Sequence, residues 1–288
     1  MFFGARKQSS TDLDFSYFPL RQEPFSTMKS LIRKLSPQTY GTKGGFSTDE
    51  KMPMFFDDVF LVSYPRSGNT WLRFILANIV YDEANITFAN IHRFSPETGR
   101  FEGLESNIRR PRFIKSHEAF NSSFPKVVYI VRDGRDVYVS YYHYLRNKLP
   151  AKMSFGDFLI EGAMPCGRWS DHIFSWLDNC VATPFLLVKY EDIHLKSEDT
   201  VQRVLDFMGL QVDDISMKCA LEKATFHRMK ELEITFGRGK YKTGPDTFMR
   251  KGRIGDWRNH FGENEKAIFK EKENEALVKL GYEKNAGW

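Results

Sequence analysis

The sequence predicts an α/β fold, a central parallel β-sheet flanked by helices, and three observations lead to it. Short continuous apolar runs recur at residues 59–63, 127–131 and 185–188, the pattern of strands buried on both faces. Segments with helical spacing separate these runs, as parallel strands require. The third observation is local: Val59-Phe60-Leu61-Val62 enters Ser63-Tyr64-Pro65-Arg66-Ser67-Gly68-Asn69-Thr70-Trp71, and the chain leaves as a helix. That succession is strand, tight loop, helix.

Residues 1–50 hold Pro19, Pro24, Pro37 and the stretch Gly41-Thr42-Lys43-Gly44-Gly45 with little periodicity, and read as an N-terminal arm ahead of one globular domain over 51–288. After the strand at 59–63, apolar residues from Leu72 to Val80 recur at helical spacing, which predicts a helix over about 69–81. Arg112-Phe113-Ile114-Lys115 is the next strand, Val127-Val128-Tyr129-Ile130-Val131 the third, and a helix starts near Arg135. Phe185-Leu186-Leu187-Val188 is the last strand; helical patterns fill 197–230 and again 263–280, the latter rich in charge. No internal repeat, low-complexity tract or linker divides the chain.

At 288 residues, with 41% hydrophobic and 27% charged residues, the chain can bury a substantial core. A net charge of +5 favours anionic ligands but is too small and dispersed for a nucleic-acid binder. The 26 Phe residues suit a pocket with flat apolar walls, or equally core filling. Cys166, Cys180 and Cys219 are odd in number, without a Cys-x-x-Cys pair or clustered His, so neither a disulfide framework nor a metal site is expected. The N-terminus lacks the apolar segment of a signal peptide and no run of 18 apolar residues occurs, so a soluble, cytoplasmic protein without a membrane span is expected.

A strand feeding a helix through a Gly-containing loop aims backbone N–H groups and the positive helix end at one spot, where a phosphate can sit. Arg66 adds a fixed charge there. The Gly-x4-Gly-Lys-Ser/Thr spacing of nucleoside-triphosphate loops is absent, so the expected ligand bears phosphate and is handled without a metal; a plain connecting turn is the other reading of this loop alone. In open parallel sheets ligands collect beyond the carboxyl ends of the strands, and three of those ends carry reactive residues. The strand at 112–115 runs into Lys115-Ser116-His117, whose imidazole suits general-base work or simply bonds a loop carbonyl. The strand at 127–131 runs into Arg132-Asp133-Gly134-Arg135-Asp136, with Ser140 on the following helix. A guanidinium and a hydroxyl there can converge on a second phosphate, or else Arg132 and Arg135 pair with Asp133 and Asp136 at the surface. Tyr190, in Lys189-Tyr190-Glu191-Asp192, reaches a ligand or anchors its turn. Phe248-Met249-Arg250-Lys251-Gly252-Arg253-Ile254-Gly255-Asp256-Trp257 sets consecutive cations among glycines, either closing on an anion or exposed as a charged loop.

In their order and chemistry these motifs resemble those of the cytosolic sulfotransferases. Tyr64 to Trp71 is similar to the family's Tyr-Pro-Lys-Ser-Gly-Thr-Thr-Trp loop around the 5′-phosphosulfate of 3′-phosphoadenosine 5′-phosphosulfate (PAPS), with Arg66 for Lys and Asn69 for Thr. Arg132 and Ser140 match its Arg-x7-Ser pair for the 3′-phosphate, and Lys115-Ser116-His117 its catalytic Lys-Thr-His. Tyr190 corresponds to the tyrosine of its Tyr-Glu-Asp, and Ala224-Thr225-Phe226-His227-Arg228-Met229 looks like its Thr-Ser-Phe-x-x-Met segment. Phe248 to Trp257 agrees with its Arg-Lys-Gly-x-x-Gly-Asp-Trp signature.

The resemblance runs from about residue 58 to 261 and implies a P-loop-like sulfotransferase using PAPS as co-substrate. A sulfuryl group would pass to a hydroxyl or amine of a small-molecule acceptor and leave adenosine 3′,5′-bisphosphate (PAP). His117 would be the base, with Lys115 and Arg66 neutralising charge. Arg66, Ser67, Gly68, Asn69, Thr70 and Trp71 would bind the donor with Arg132, Ser140, Tyr190, Thr225 and Phe226, and with Met249, Arg250, Lys251 and Gly252. Trp71 and Phe226 would sandwich the adenine. Two departures stand out: Arg66 lacks the compact ammonium of the family's Lys, and Arg258 to Asn264 does not match the family's dimerisation segment, which leaves the oligomeric state open. A P-loop kinase and a silent nucleotide-responsive binding protein are the competing readings. Neither the acceptor nor the role of the basic loop Gly237-Arg238-Gly239-Lys240-Tyr241-Lys242 is legible.

Overall fold

The computed structural model describes residues 53–99, 108–161, 166–238 and 248–288. The expected arm over 1–50 lies outside these residues, as does the basic loop beyond Gly237 and Arg238. Four parallel strands form the sheet: β1 (Val59–Ser63), β2 (Phe113–Ser116), β3 (Val127–Val131) and β4 (Phe185–Lys189), in the spatial order β2-β1-β3-β4. The strand expected from Arg112 begins one residue later and runs on through Ser116. β1 is central, pairing Val62 with Ser116 on one side and Ser63 with Ile130 on the other. The chain therefore leaves β1 toward one edge and returns on the opposite side, a strand-order reversal beyond whose carboxyl ends α/β proteins hold ligands.

Alternation along each strand explains the continuous apolar runs. Phe60, Val62, Ile114, Val127, Tyr129 and Val131 face one core, while Val59, Leu61, Phe113, Val128, Ile130 and Val188 face the other. The first core is covered by α3 (Gly134–Leu145), α4 (Phe155–Glu161), α5 (Trp169–Leu177) and α10 (Glu263–Lys279), and the second by α1 (Asn69–Val80), α7 (Ser197–Met208) and α8 (Asp214–Lys223). Two shorter helices complete this side: α2 (Ile91–Phe94) contacts α1, and α6 (Tyr190–Leu195) contacts β4 and α7, while α9 (Phe226–Phe236) follows α8. Burying every residue of β1 and β3 drives this arrangement, at roughly 25 cal/mol per Å² of apolar surface.

The helical stretch expected over 197–230 is three helices. Gly209, with φ 76°, ends α7 in a left-handed turn that a side chain would resist. Asp213 then caps α8 by accepting the N–H groups of Ile215 and Ser216, and the Thr225 hydroxyl accepts from Arg228 N at the start of α9.

Candidate active site

The loop after β1 bends through two left-handed residues, Arg66 at φ 73° and Gly68 at φ 97°. A Cβ on residue 68 would stand 2.5 Å from the Tyr190 ring, so only glycine lets that ring close over the loop. Asn69 pins the start of α1 to β1 by donating Nδ2–H to the Leu61 carbonyl at 2.7 Å and to Ser63 Oγ at 3.3 Å. The N–H groups of Trp71 and Leu72 return to the Gly68 carbonyl, whereas those of Gly68, Asn69 and Thr70 find no acceptor among the described residues. α1 also begins with neither a side-chain cap nor an acidic residue, which leaves its positive end uncompensated.

Arg66 and Arg132 meet beneath that end. Arg66 Nε donates to Ser140 Oγ and Nη2 to the Phe248 carbonyl, both at 3.1 Å, with its guanidinium in the corner formed by the perpendicular rings of Tyr144 (4.9 Å) and Phe248 (4.3 Å). Arg132 donates Nη1–H to the Arg66 carbonyl at 3.3 Å and Nη2–H to the Arg253 carbonyl at 3.0 Å, and stacks on Tyr190 at 4.3 Å. Three donors in this cluster, Arg66 Nη1, Ser67 Oγ and Arg132 Nε, are buried without a hydrogen-bond partner among the described residues. Burial lowers the Arg66 guanidinium to about 10; Tyr144 opposes this, while Arg238 and Arg132 add to it.

The surface pairing considered for these arginines takes a different form. Arg135 is buried in ion pairs with Asp133 (2.8 Å) and Glu283 (2.6 Å), between Trp257 and Trp288, and is a structural staple. Asp136 lies 3.7 Å from Arg132 Nη2 and spends its oxygens on the N–H groups of Gly255 (2.7 Å) and Trp257 (2.8 Å). It thereby ties the 248–257 loop to α3.

Within that loop Arg250 and Lys251 both rest on Asp256, at 2.6 and 2.9 Å. Burial pushes the Asp256 carboxyl up, but these two cations outweigh it and hold the group well below the usual carboxylate range. Gly252 turns at φ 60° under Phe226, whose ring would stand 2.3 Å from an added Cβ. Trp71 donates its indole N–H at 2.8 Å to the carbonyl of Ala224, which lies two residues before Phe226. An open cavity of about 560 Å³ runs beside that indole, lined also by Lys196, Ser197, Leu221, Glu222 and Thr225.

His117 stands at the other end of the loop. Its Nδ1 lies 2.6 Å from the Ser63 carbonyl and 3.3 Å from Ser63 Oγ. Burial, then the charge of Lys115, lowers the imidazole to about 3, so it is neutral at physiological pH. A neutral ring that donates Nδ1–H to a carbonyl keeps the lone pair on Nε2. Lys115 pairs with Glu97. Burial would raise Glu97, but Lys115 and Arg73 pull it to about 2, while burial lowers Lys115 against the pull of Glu97. Sequence reasoning missed Glu97 because it lies 18 residues from its partner, in a segment with no periodic pattern.

The lowered imidazole has a consequence for stability. The folded chain holds His117 near 3 against an ordinary 6.5, so the unfolded chain takes up the proton first and stability falls as pH drops through that window. His143 and His172, each lowered to about 4 chiefly by burial, act in the same direction. Denaturant titration at pH 7 and pH 5 is expected to show a smaller loss for His117→Gln than for the parent. Identical losses would mean that the imidazole ionises normally.

Among the described residues no cluster of His, Cys, Asp or Glu is arranged to hold a metal, no helix is long and apolar enough to cross a membrane, and Cys166, Cys180 and Cys219 are free thiols.

A family model described as "Sulfotransferase domain" matches residues 56–281. Sulfotransferase 2A1 of Rattus norvegicus is 32% identical over 251 residues, covering 81% of this chain and 86% of its own length. Sulfotransferase 1E1 of Bos taurus is 30% identical over 234 residues, with 71% and 78% covered. Among solved structures, mouse sulfotransferase SULT7A1 complexed with PAP aligns with a TM-score of 0.59 at 27% identity, covering 80% of this chain and 88% of that one. Retinol dehydratase, solved with androsterone and PAP, shares the fold at a TM-score of 0.62 and 22% identity, with 81% and 83% covered.

Proposed function

Because this chain belongs to the sulfotransferase family and moves sulfuryl groups, we propose that its donor is PAPS, its acceptor a hydroxyl or amine of a small molecule, and His117 its general base. The observation that carries the donor assignment is the trio of buried, unpartnered donors at Arg66 Nη1, Ser67 Oγ and Arg132 Nε. Leaving such a group unpaired costs about 1–3 kcal/mol, so three of them gathered at one helix end fit an anion. The N–H groups of Gly68, Asn69 and Thr70 hold the 5′-phosphate, and Arg132, Ser140 and the 250–252 loop grip the 3′-phosphate. Trp71 and Phe226 flank the adenine.

When bound, the donor supplies the sulfuryl group, which leaves its bridging oxygen for the acceptor oxygen or nitrogen. His117 Nε2 takes the acceptor's proton as that bond forms, and the Ser63 carbonyl keeps the ring in the required tautomer. Lys115 and Arg66 stabilise charge on the transferring group and on the departing phosphate oxygen, the kind of fixed electrostatic help that is often the largest catalytic contribution. The same reading carries a cytoplasmic location and one domain over 51–288.

The test is transfer by the purified full chain from sulfur-labelled PAPS to a panel of phenols, alcohols, amines and glycans in magnesium-free buffer. Label on at least one acceptor together with PAP is the expected result. Binding of ATP with Mg²⁺ in preference to PAP would replace it with phosphoryl transfer.

A further inference from the structure

Glu233, on the third turn of α9, is a buried carboxylate for which the donor reading has no use. Its Oε1 accepts the Phe248 N–H at 2.5 Å and its Oε2 the Met249 N–H at 2.9 Å. Two successive backbone N–H groups on one carboxylate make a charge-assisted clamp, and it fixes the start of the 248–252 loop against α9.

Phe248 is committed on every side. Its N–H is on Glu233, its carbonyl accepts Arg66 Nη2 at 3.1 Å, and its ring lies 4.3 Å from the Arg66 guanidinium and 4.5 Å from that of Arg238. Arg66 in turn places Nε on Ser140, which leaves Nη1 as its one nitrogen without a partner among the described residues. Only a planar guanidinium can address Ser140 and Phe248 with two nitrogens and keep a third for a phosphate oxygen. We infer that Glu233 is a positioning residue: it sets Phe248, and Phe248 aims Arg66 at the donor. The inference rests on the donor reading above. It also gives Arg66, where the resemblance leads one to expect Lys, a structural reason: a Lys at this position could neither fork to both partners nor offer a planar face to the perpendicular rings of Tyr144 and Phe248.

Glu233→Gln keeps the size and removes the charge and one acceptor. Calorimetry with PAP is expected to show about tenfold weaker binding, the scale of one lost charge-assisted hydrogen bond, with a melting temperature close to the parent's. Glu233→Asp, which keeps both acceptor oxygens, is expected to recover most of the affinity. In an Arg66→Lys background the Gln substitution should change PAP affinity less than about twofold, because the two residues act as one unit. Should Glu233→Gln unfold, Phe248→Leu removes the stacked ring alone and is expected to weaken PAP only when Arg66 is present. Parental affinity in Glu233→Gln, or in Phe248→Leu where that variant stands in, overturns the inference, and so does an equal loss with Lys at position 66. If Arg132→Ala also binds PAP as the parent does, the donor reading has failed instead.

Discussion

Replacing His117 with Ala is expected to lower turnover by about 10²- to 10⁴-fold, the usual contribution of a well-placed general base, while PAP binds as tightly as before. The size of the effect follows from how firmly the ring is prepared. Burial and Lys115 keep it unprotonated, with its value lowered to about 3, and the Ser63 carbonyl 2.6 Å from Nδ1 fixes which nitrogen carries the proton. Ser63 is itself tied to the loop after β1, because Asn69 Nδ2 donates to Ser63 Oγ at 3.3 Å. His117 and the loop that opens α1 thus share one strand end. Single-turnover kinetics with labelled donor, alongside calorimetry with PAP, separates chemistry from binding. Transfer at the parental rate in His117→Ala would remove the imidazole from the mechanism.

The second large effect is expected for Arg132→Ala, in loss of donor affinity rather than of chemistry. The residue is 8% exposed, and its side chain supports the Arg66 and Arg253 carbonyls while stacking on Tyr190. Truncating one partner of a buried charge pair costs about 2–5 kcal/mol, so PAP should bind on the order of 10²-fold more weakly. Asp136, 3.7 Å from the guanidinium, would then lose its nearby cation and keep only the N–H groups of Gly255 and Trp257. Arg132→Lys keeps the charge but loses the fork and the stack, and should recover only part of the loss. The decisive comparison uses an adenosine nucleotide without the 3′-phosphate: if Arg132 grips that phosphate, Arg132→Ala binds PAP and the truncated nucleotide alike. A loss of equal size for both ligands would move Arg132 to the 5′ end of the site.

Much of the scaffold was legible because its information is local. Continuous apolar runs place three of the four strands, and Arg112-Phe113-Ile114-Lys115 the fourth, within a residue or so, and the left-handed Gly68 is visible as a glycine in a loop between strand and helix. Periodicity predicts the helical stretch over 197–230 without its breaks, since Gly209, Asp213 and Thr225 act through cap geometry that periodicity does not register. Pairings between distant segments left no trace in the sequence. Nothing near Lys115 announces Glu97, and nothing near Phe248 announces Glu233, because each contact joins segments 15 or more residues apart. By sequence alone the cations of the 248–257 loop suit an anion or an exposed charged loop, and the structure adds that Arg250 and Lys251 rest on Asp256 of that same loop.

The order of residues by itself determined which segments become strands and helices and which strand ends carry Arg66, His117, Arg132 and Tyr190, since those features depend on spacing within a few residues. Only the tertiary structure decided that β1 sits between β2 and β3, so that Ser63 reaches His117 and the exits of neighbouring strands gather at one helix end. It also decided which charges are already paired and which buried donors are left over. The reason is physical: period and turn chemistry are properties of neighbours along the chain, whereas desolvation and ion pairing depend on what the fold brings together across it.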